Sequence, residues 1–119
     1  MAEILVVDDS SSVRSEVSEY LITHGIDVIT AVDGEDGLAK VQANPALKLV
    51  MCDINMPIMD GLTMVEHVRE LGNQVQFVML TTEDSADIKL RGKKLGVKGW
   101  IVKPFNGASI IGAIKKMIE

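Results

Sequence analysis

The sequence carries a single cysteine, Cys52, so no disulfide can form within the chain, and a reducing compartment is expected. Cys52 closes the apolar stretch from Leu47 and reads as an inert core residue. No apolar run reaches the roughly 18 residues that a membrane span needs. The start, Met1-Ala2-Glu3-Ile4, lacks the basic segment and apolar core of a signal peptide, so a cytoplasmic location and no membrane partner are expected. Basic charge is scarce: Lys and Arg number 12 against 17 Asp and Glu, for a net charge of -5. Nucleic-acid binding usually shows as a basic surplus, so no nucleic-acid partner is expected. There is no internal repeat, low-complexity segment or linker. The 119 residues suffice for one core, which predicts a single domain over 1–119. At 47% hydrophobic and 24% charged, the chain has an ordinary folded composition.

What is present alternates. Ile4-Leu5-Val6-Val7, Val28-Ile29, Leu49-Val50-Met51, Phe77-Val78-Met79-Leu80 and Trp100-Ile101-Val102 are short apolar runs, the pattern of parallel strands covered on both faces. Between them lie stretches of helical period. Val13, Val17 and Leu21 precede Gly25. Leu38 and Val41 follow Gly34, with Pro45 beyond. Leu62, Val65 and Val68 precede Gly72, and Ile88 and Leu95 precede Gly96. Ile110, Ile111, Ile114, Met117 and Ile118 make the last stripe. Five such units predict an α/β fold, a doubly wound five-stranded parallel sheet with five helices. Right-handed crossovers then bring the loops leaving each strand's C-terminal end to one edge, where ligands bind in such sheets.

That edge is polar. The first strand runs into Asp8-Asp9, the third into Asp53, the fourth into Thr81-Thr82 and the fifth into Lys103-Pro104. Singly, such residues cap helices or close turns. Together on four strand ends they predict three carboxylates, a hydroxyl and an ammonium in one place. Crowded carboxylates repel, by about 4 kcal/mol for a pair 4 Å apart at an effective dielectric of 20. A bound dication relieves this, and hard oxygen ligands suit Mg²⁺, with Mn²⁺ as the alternative. A carboxylate beside such charges can act as a nucleophile toward a phosphoryl group. A nucleotide-binding protein would want a glycine-rich loop after the first strand, where Asp8-Asp9-Ser10-Ser11-Ser12 has no glycine. A phosphohydrolase with an aspartate nucleophile would want Asp-x-Asp there and a cap domain for which the chain is too short.

The blocks Val7-Asp8-Asp9-Ser10, Cys52-Asp53-Ile54-Asn55-Met56-Pro57-Ile58-Met59-Asp60-Gly61, Leu80-Thr81-Thr82-Glu83 and Val102-Lys103-Pro104-Phe105 resemble the receiver domains of bacterial response regulators, over essentially the whole chain. The resemblance implies a flavodoxin-like strand order 2-1-3-4-5. It implies Asp53 as phosphoryl acceptor, with Lys103 and Thr81 contacting the phosphoryl oxygens. It implies Mg²⁺ held by Asp9, Asp53 and the Asn55 main-chain carbonyl, with Asp8 acting mainly through a metal-bound water. A cis Lys103-Pro104 bond and a turn at Pro57 to Gly61, with Gly61 supplying backbone freedom, belong to the same pattern. Thr81 and Trp100 would form the switch, and Asn55, Thr82 and Glu83 would tune phosphoryl lifetime. Trp100 stands where Tyr or Phe is usual; inward rotation and outward packing are both open to it. His24 and His67 are expected at the surface.

By the same resemblance the chain is a signalling switch rather than an enzyme, and a monomer. Its phosphoryl donor would be a histidine kinase. Its effector would bind the fourth helix, fifth strand and fifth helix, where Arg91, Lys93, Lys94, Lys98, Lys115 and Lys116 lie. Asn55 and Glu83 point to the CheY-like chemotaxis type, with the flagellar motor switch as effector. A phosphorelay or adaptor receiver is the alternative. The stop at Glu119 is expected of a stand-alone protein, or of a receiver excised from a larger regulator.

Overall fold

Apolar runs as short as four residues form strands here because helices cover both faces of the sheet they build. The computed structural model describes residues 1–119. Its strands are β1 (Ile4–Val7), β2 (Val28–Ala31), β3 (Leu49–Cys52), β4 (Gln76–Thr81) and β5 (Gly99–Val102), and its helices are α1 (Ser11–Thr23), α2 (Gly34–Ala43), α3 (Gly61–Glu70), α4 (Ala86–Lys94) and α5 (Gly107–Ile118). All strands are parallel, in the order β2-β1-β3-β4-β5. The sequence reading of the strand and helix series holds. The reversal of strand order falls between β1 and β3, where such sheets bind ligands.

Strand residues alternate between two cores. Ile4, Val6, Leu49, Met51, Val78 and Leu80 meet Val17 and Leu21 of α1 and Ile114 and Ile118 of α5. Leu5, Val7, Val50, Cys52, Phe77 and Met79 meet Val41 of α2 and Leu62, Met64, Val65 and Val68 of α3. Burial on both sides explains why these strands read as unbroken hydrophobic runs. Cys52 is fully buried, as expected. His24 and His67 are exposed.

Four helices start on side chains that accept from their own first turns: Ser10, Asp33, Asp60 and Ser85. Each such cap is worth about 1 kcal/mol. All four caps lie on the edge that receives the strand ends, so capping also fixes the loops carrying the polar residues. α4 is held differently. Its only buried residue is Gly92. Arg69 of α3 donates to the Leu95 carbonyl just past its end, and Arg91 pairs with Glu66 of α3.

Candidate functional site

β1 delivers Asp8 to the edge, where its N–H donates to the Ala31 carbonyl at 3.2 Å. β3 delivers Asp53, whose N–H donates to the Val7 carbonyl at 3.0 Å. The two carboxylates therefore come from adjacent parallel strands in register, Val7 opposite Cys52. Asp8 and Asp53 are buried and Asp9 is exposed. One oxygen from each of the three carboxylates lies within 4.8 Å of the others.

Lys103, just past β5, bridges the two buried acids. Its Nζ lies 2.9 Å from Asp8 Oδ2 and 3.2 Å from Asp53 Oδ2. The Lys103-Pro104 peptide is cis, as the resemblance implied. The other oxygens are used too. Asp8 Oδ1 accepts from the Ser10 N–H at 2.9 Å, and Asp53 Oδ1 accepts from the Ile54 N–H at 2.7 Å. Burial pushes the Asp8 carboxyl above the usual range, and the bonds from Lys103 and Ser10 offset only part of that. For Lys103, burial pulls the amine down, but the Asp8 and Asp53 carboxylates outweigh it and raise its pKa.

This donor set fits a hard dication. Bonds of about 2.1 Å in an octahedron put ligand oxygens about 2.9–4.2 Å apart. The 4.8 Å cluster needs only small side-chain rotations to reach that spacing. An exposed Asp9 gives water access to one side, which suits Mg²⁺, an ion that keeps several waters. Asn55 lies exposed in the loop between β3 and α3, two residues past Asp53.

Thr81 ends β4 fully buried. Its Oγ1 accepts from the Glu83 N–H at 3.1 Å, and its carbonyl accepts from the Lys103 N–H at 2.9 Å. Trp100 of β5 donates its indole N–H to the Glu83 carbonyl at 2.8 Å. The indole lies under α4, where a Cβ on Gly92 would stand 2.9 Å from its ring. Of the two arrangements open to Trp100, the ring is tucked against α4, half-buried. Thr82 is exposed and shares an apolar groove of about 380 Å³ with Val13, Glu16, Lys103, Pro104 and Phe105.

One reading of the loop after Asp53 changes. Gly61 is not the flexible point, since the residue with positive φ is Ile58, at 70°. Gly61 is required by space: a Cβ there would lie 2.0 Å from the Asp53 carbonyl oxygen. Glycine thus brings the start of α3 against the end of β3. Sequence reasoning also passed over Arg14, which donates from Nη1 to the Asp8 carbonyl at 2.6 Å. The available signal was its place in the first turn of α1, where cations are unfavourable.

Comparison with known proteins agrees. The chain is 35% identical over 116 residues to the transcriptional regulatory protein PrrA of Mycobacterium tuberculosis, covering 98% of this chain and 49% of PrrA. It therefore spans about half the length of that relative. It is 35% identical over 118 residues to the chemotaxis protein CheY of Treponema pallidum, covering 98% of this chain and 82% of that protein. Among solved structures, Vibrio cholerae CheY4 superposes with a TM-score of 0.89 at 40% identity, covering 98% of both chains. The CheX–CheY–BeF3–Mg complex of Borrelia burgdorferi gives 0.91 at 27% identity, over 99% of this chain and 90% of the other. The profile of the response regulator receiver domain matches residues 4–115, from the first residue of β1 into the last turns of α5, and the chain belongs to that family.

Proposed function

We propose that Asp53 accepts a phosphoryl group, and that this changes what the α4, β5 and α5 surface binds. The observation that carries the reading is the Lys103 ammonium shared between Asp8 and Asp53 beside a third carboxylate. Asp8, Asp9 and Asp53 would hold Mg²⁺, with the Asn55 carbonyl as a further ligand. When bound, the ion neutralises charge on the phosphoryl oxygens and the acceptor.

The chain's own residues do the rest. The Ile54 N–H holds Asp53 Oδ1 at 2.7 Å, and Oδ2, on the side of Lys103, is the attacking atom. That oxygen forms the new P–O bond while the donor's P–N or P–O bond breaks and the leaving group departs with its electron pair. Lys103 is already 3.2 Å from Oδ2 and stays to pair with the incoming phosphoryl oxygens. Thr81 Oγ1 turns from Glu83 to donate to one of them. Thr82 stands at the rim and narrows access, and Asn55 and Glu83 set how long the phosphoryl group persists.

The donor is a phosphohistidine of a sensor kinase. The protein works as a cytoplasmic monomeric switch rather than as an enzyme acting on a substrate pool. From Ala86 to the end there are eight Lys and Arg against two Asp and Glu, while the rest has four against fifteen. Leu90 of α4 and Val102 of β5 are about half exposed. A basic face with apolar centres favours an acidic, apolar partner. The likeness to chemotaxis proteins over most of their length supports a CheY-like role, with the flagellar motor switch as that partner.

The test is incubation with Mg²⁺ and acetyl phosphate, read by intact mass. One phosphoryl group is expected on the native chain and none on Asp53→Asn. Full modification of Asp53→Asn would refute the acceptor assignment.

A further inference from the structure

Two of the three clustered carboxylates, Asp8 and Asp9, flank a single peptide bond. That peptide lies beyond the end of β1 and before α1, outside the backbone ladder of either. Its geometry decides whether Asp9 faces the other two acids, because the Asp9 carboxylate takes part in no hydrogen bond or ion pair of its own. The carbonyl of that peptide, on Asp8, is gripped by Arg14 Nη1 at 2.6 Å.

Arg14 is well placed for this and badly placed otherwise. Ser10 caps α1 and its carbonyl accepts from the Arg14 N–H at 3.0 Å, so Arg14 sits in the first turn. Helix side chains lean toward the N-terminus, which carries the guanidinium back over the loop. A cation there opposes the helix dipole. A residue that breaks a local rule without an evident stability gain is a candidate for a functional role. Arg14 has no carboxylate within ion-pair distance, although its charge helps hold the Asp36 carboxyl down from a distance. Its hydrogen bond goes to the Asp8 main chain, at the one point where it can fix the loop bearing two ligands.

We propose that Arg14 is a positioning residue for the dication site: it fixes the Asp8–Asp9 peptide so that Asp9 completes the cluster. This rests on the metal-binding reading above. Position and charge predict opposite signs. If Arg14 acted only as a nearby cation, removing it would tighten Mg²⁺ binding; if it positions Asp9, removing it weakens binding.

The experiment is calorimetric titration of metal-free protein with Mg²⁺ well below the melting temperature, for the native chain, Arg14→Met and Arg14→Lys. Arg14→Met is expected to lose about tenfold in Mg²⁺ affinity, the low end of the scale for groups that orient ligands. Arg14→Lys, which keeps a donor, is expected to recover part of the loss, and it serves alone if Arg14→Met does not fold. A purely structural Arg14 would lower the metal-free melting temperature and leave the affinity unchanged. Unchanged or tighter Mg²⁺ binding by the variants overturns the proposal. A native chain that takes up no Mg²⁺ overturns the metal-site reading itself, and this inference with it.

Discussion

Lys103→Met separates the two jobs assigned to the lysine, counter-ion at rest and phosphoryl ligand during transfer. At rest its Nζ is 2.9 Å from Asp8 Oδ2 and 3.2 Å from Asp53 Oδ2, and both acids are buried. Breaking a buried pair costs about 3–5 kcal/mol when the partner stays charged. The Lys103 side chain is 18% exposed, and the Asp8 carboxyl, already raised, can take up a proton. Both reduce the loss, to about 1–3 kcal/mol on that scale. A chain of this size has an unfolding entropy that converts 1 kcal/mol into about 4 °C, so metal-free Lys103→Met should melt about 4–12 °C lower. Mg²⁺ then gains where the lysine is lost, because it no longer meets an ammonium at the same oxygens. At an open edge, one unit charge at ion-pair distance changes the energy of a neighbour by about 1–2 kcal/mol. The affinity should rise about five- to thirtyfold, and saturating Mg²⁺ should raise the melting temperature about 4–8 °C more than in the native chain. The assay is differential scanning fluorimetry across a Mg²⁺ series. A variant that melts like the native chain without metal, and shifts equally with it, would refute the counter-ion role.

Four further outcomes follow from the same geometry. Gly92→Ala gains about 1 kcal/mol of helix propensity, but its Cβ would meet the indole at 2.9 Å. The expected result is a red-shifted Trp100 emission without the full stability gain, and unchanged emission with the full gain would show the ring does not set the fit of α4. Ile58→Asn should stabilise the chain by about 0.5–1 kcal/mol, since Ile58 is 77% exposed and holds a φ of 70° that asparagine tolerates better; an unmoved urea midpoint would contradict this. The raised Lys103 amine contributes stability below the usual lysine range of about 10.4, and that contribution is lost as pH rises through the higher folded value. Melting temperatures above about pH 10 should therefore fall more steeply for the native chain than for Lys103→Met. Thr82→Ala, which trims the exposed rim of the groove beside Lys103, should speed both gain and loss of the phosphoryl group from acetyl phosphate; unchanged rates would remove Thr82 from control of access.

The strand ends were legible because parallel strands covered on both faces run apolar until they leave the sheet. Asp8, Asp53 and Lys103 are the first polar residues past β1, β3 and β5, and Thr81 closes β4, so each marks its own exit. Fits between distant elements left weaker marks. The indole of Trp100 can tuck under α4 because residue 92, eight positions earlier, lacks a Cβ. A lone glycine in a helix records that something comes close, but not what. Gly61 shows the same limit, since flexibility and close approach both call for glycine. Ile58 was unreadable for another reason: local preference argues against a β-branched residue at positive φ, and the hydrogen bond from the Gly34 N–H to the Met59 carbonyl holds the loop there regardless.

The acidic site and the α4 surface are joined by few contacts. The Thr81 hydroxyl holds the Glu83 N–H, the Glu83 carbonyl holds the Trp100 N–H, and the indole fills the gap at Gly92 of α4. Both hydrogen bonds converge on one residue at the start of the β4–α4 loop. If Thr81 turns to a phosphoryl oxygen, the Glu83 N–H loses its partner while its carbonyl stays bonded to the indole. The loop is then held by Trp100 alone. Gly92 is the only fully buried residue of α4, and Ile88 is its half-buried apolar contact with the core, so α4 is more lightly seated than α3. The two ties from α3, Arg69 to the Leu95 carbonyl and Glu66 to Arg91, grip its C-terminal half. Its N-terminal end has no such tie from α3. A helix tied to α3 and seated on the indole in its C-terminal half, with Ile88 as its core contact toward the other end, can pivot about that half, and its motion would carry Leu90 and the flanking lysines with it.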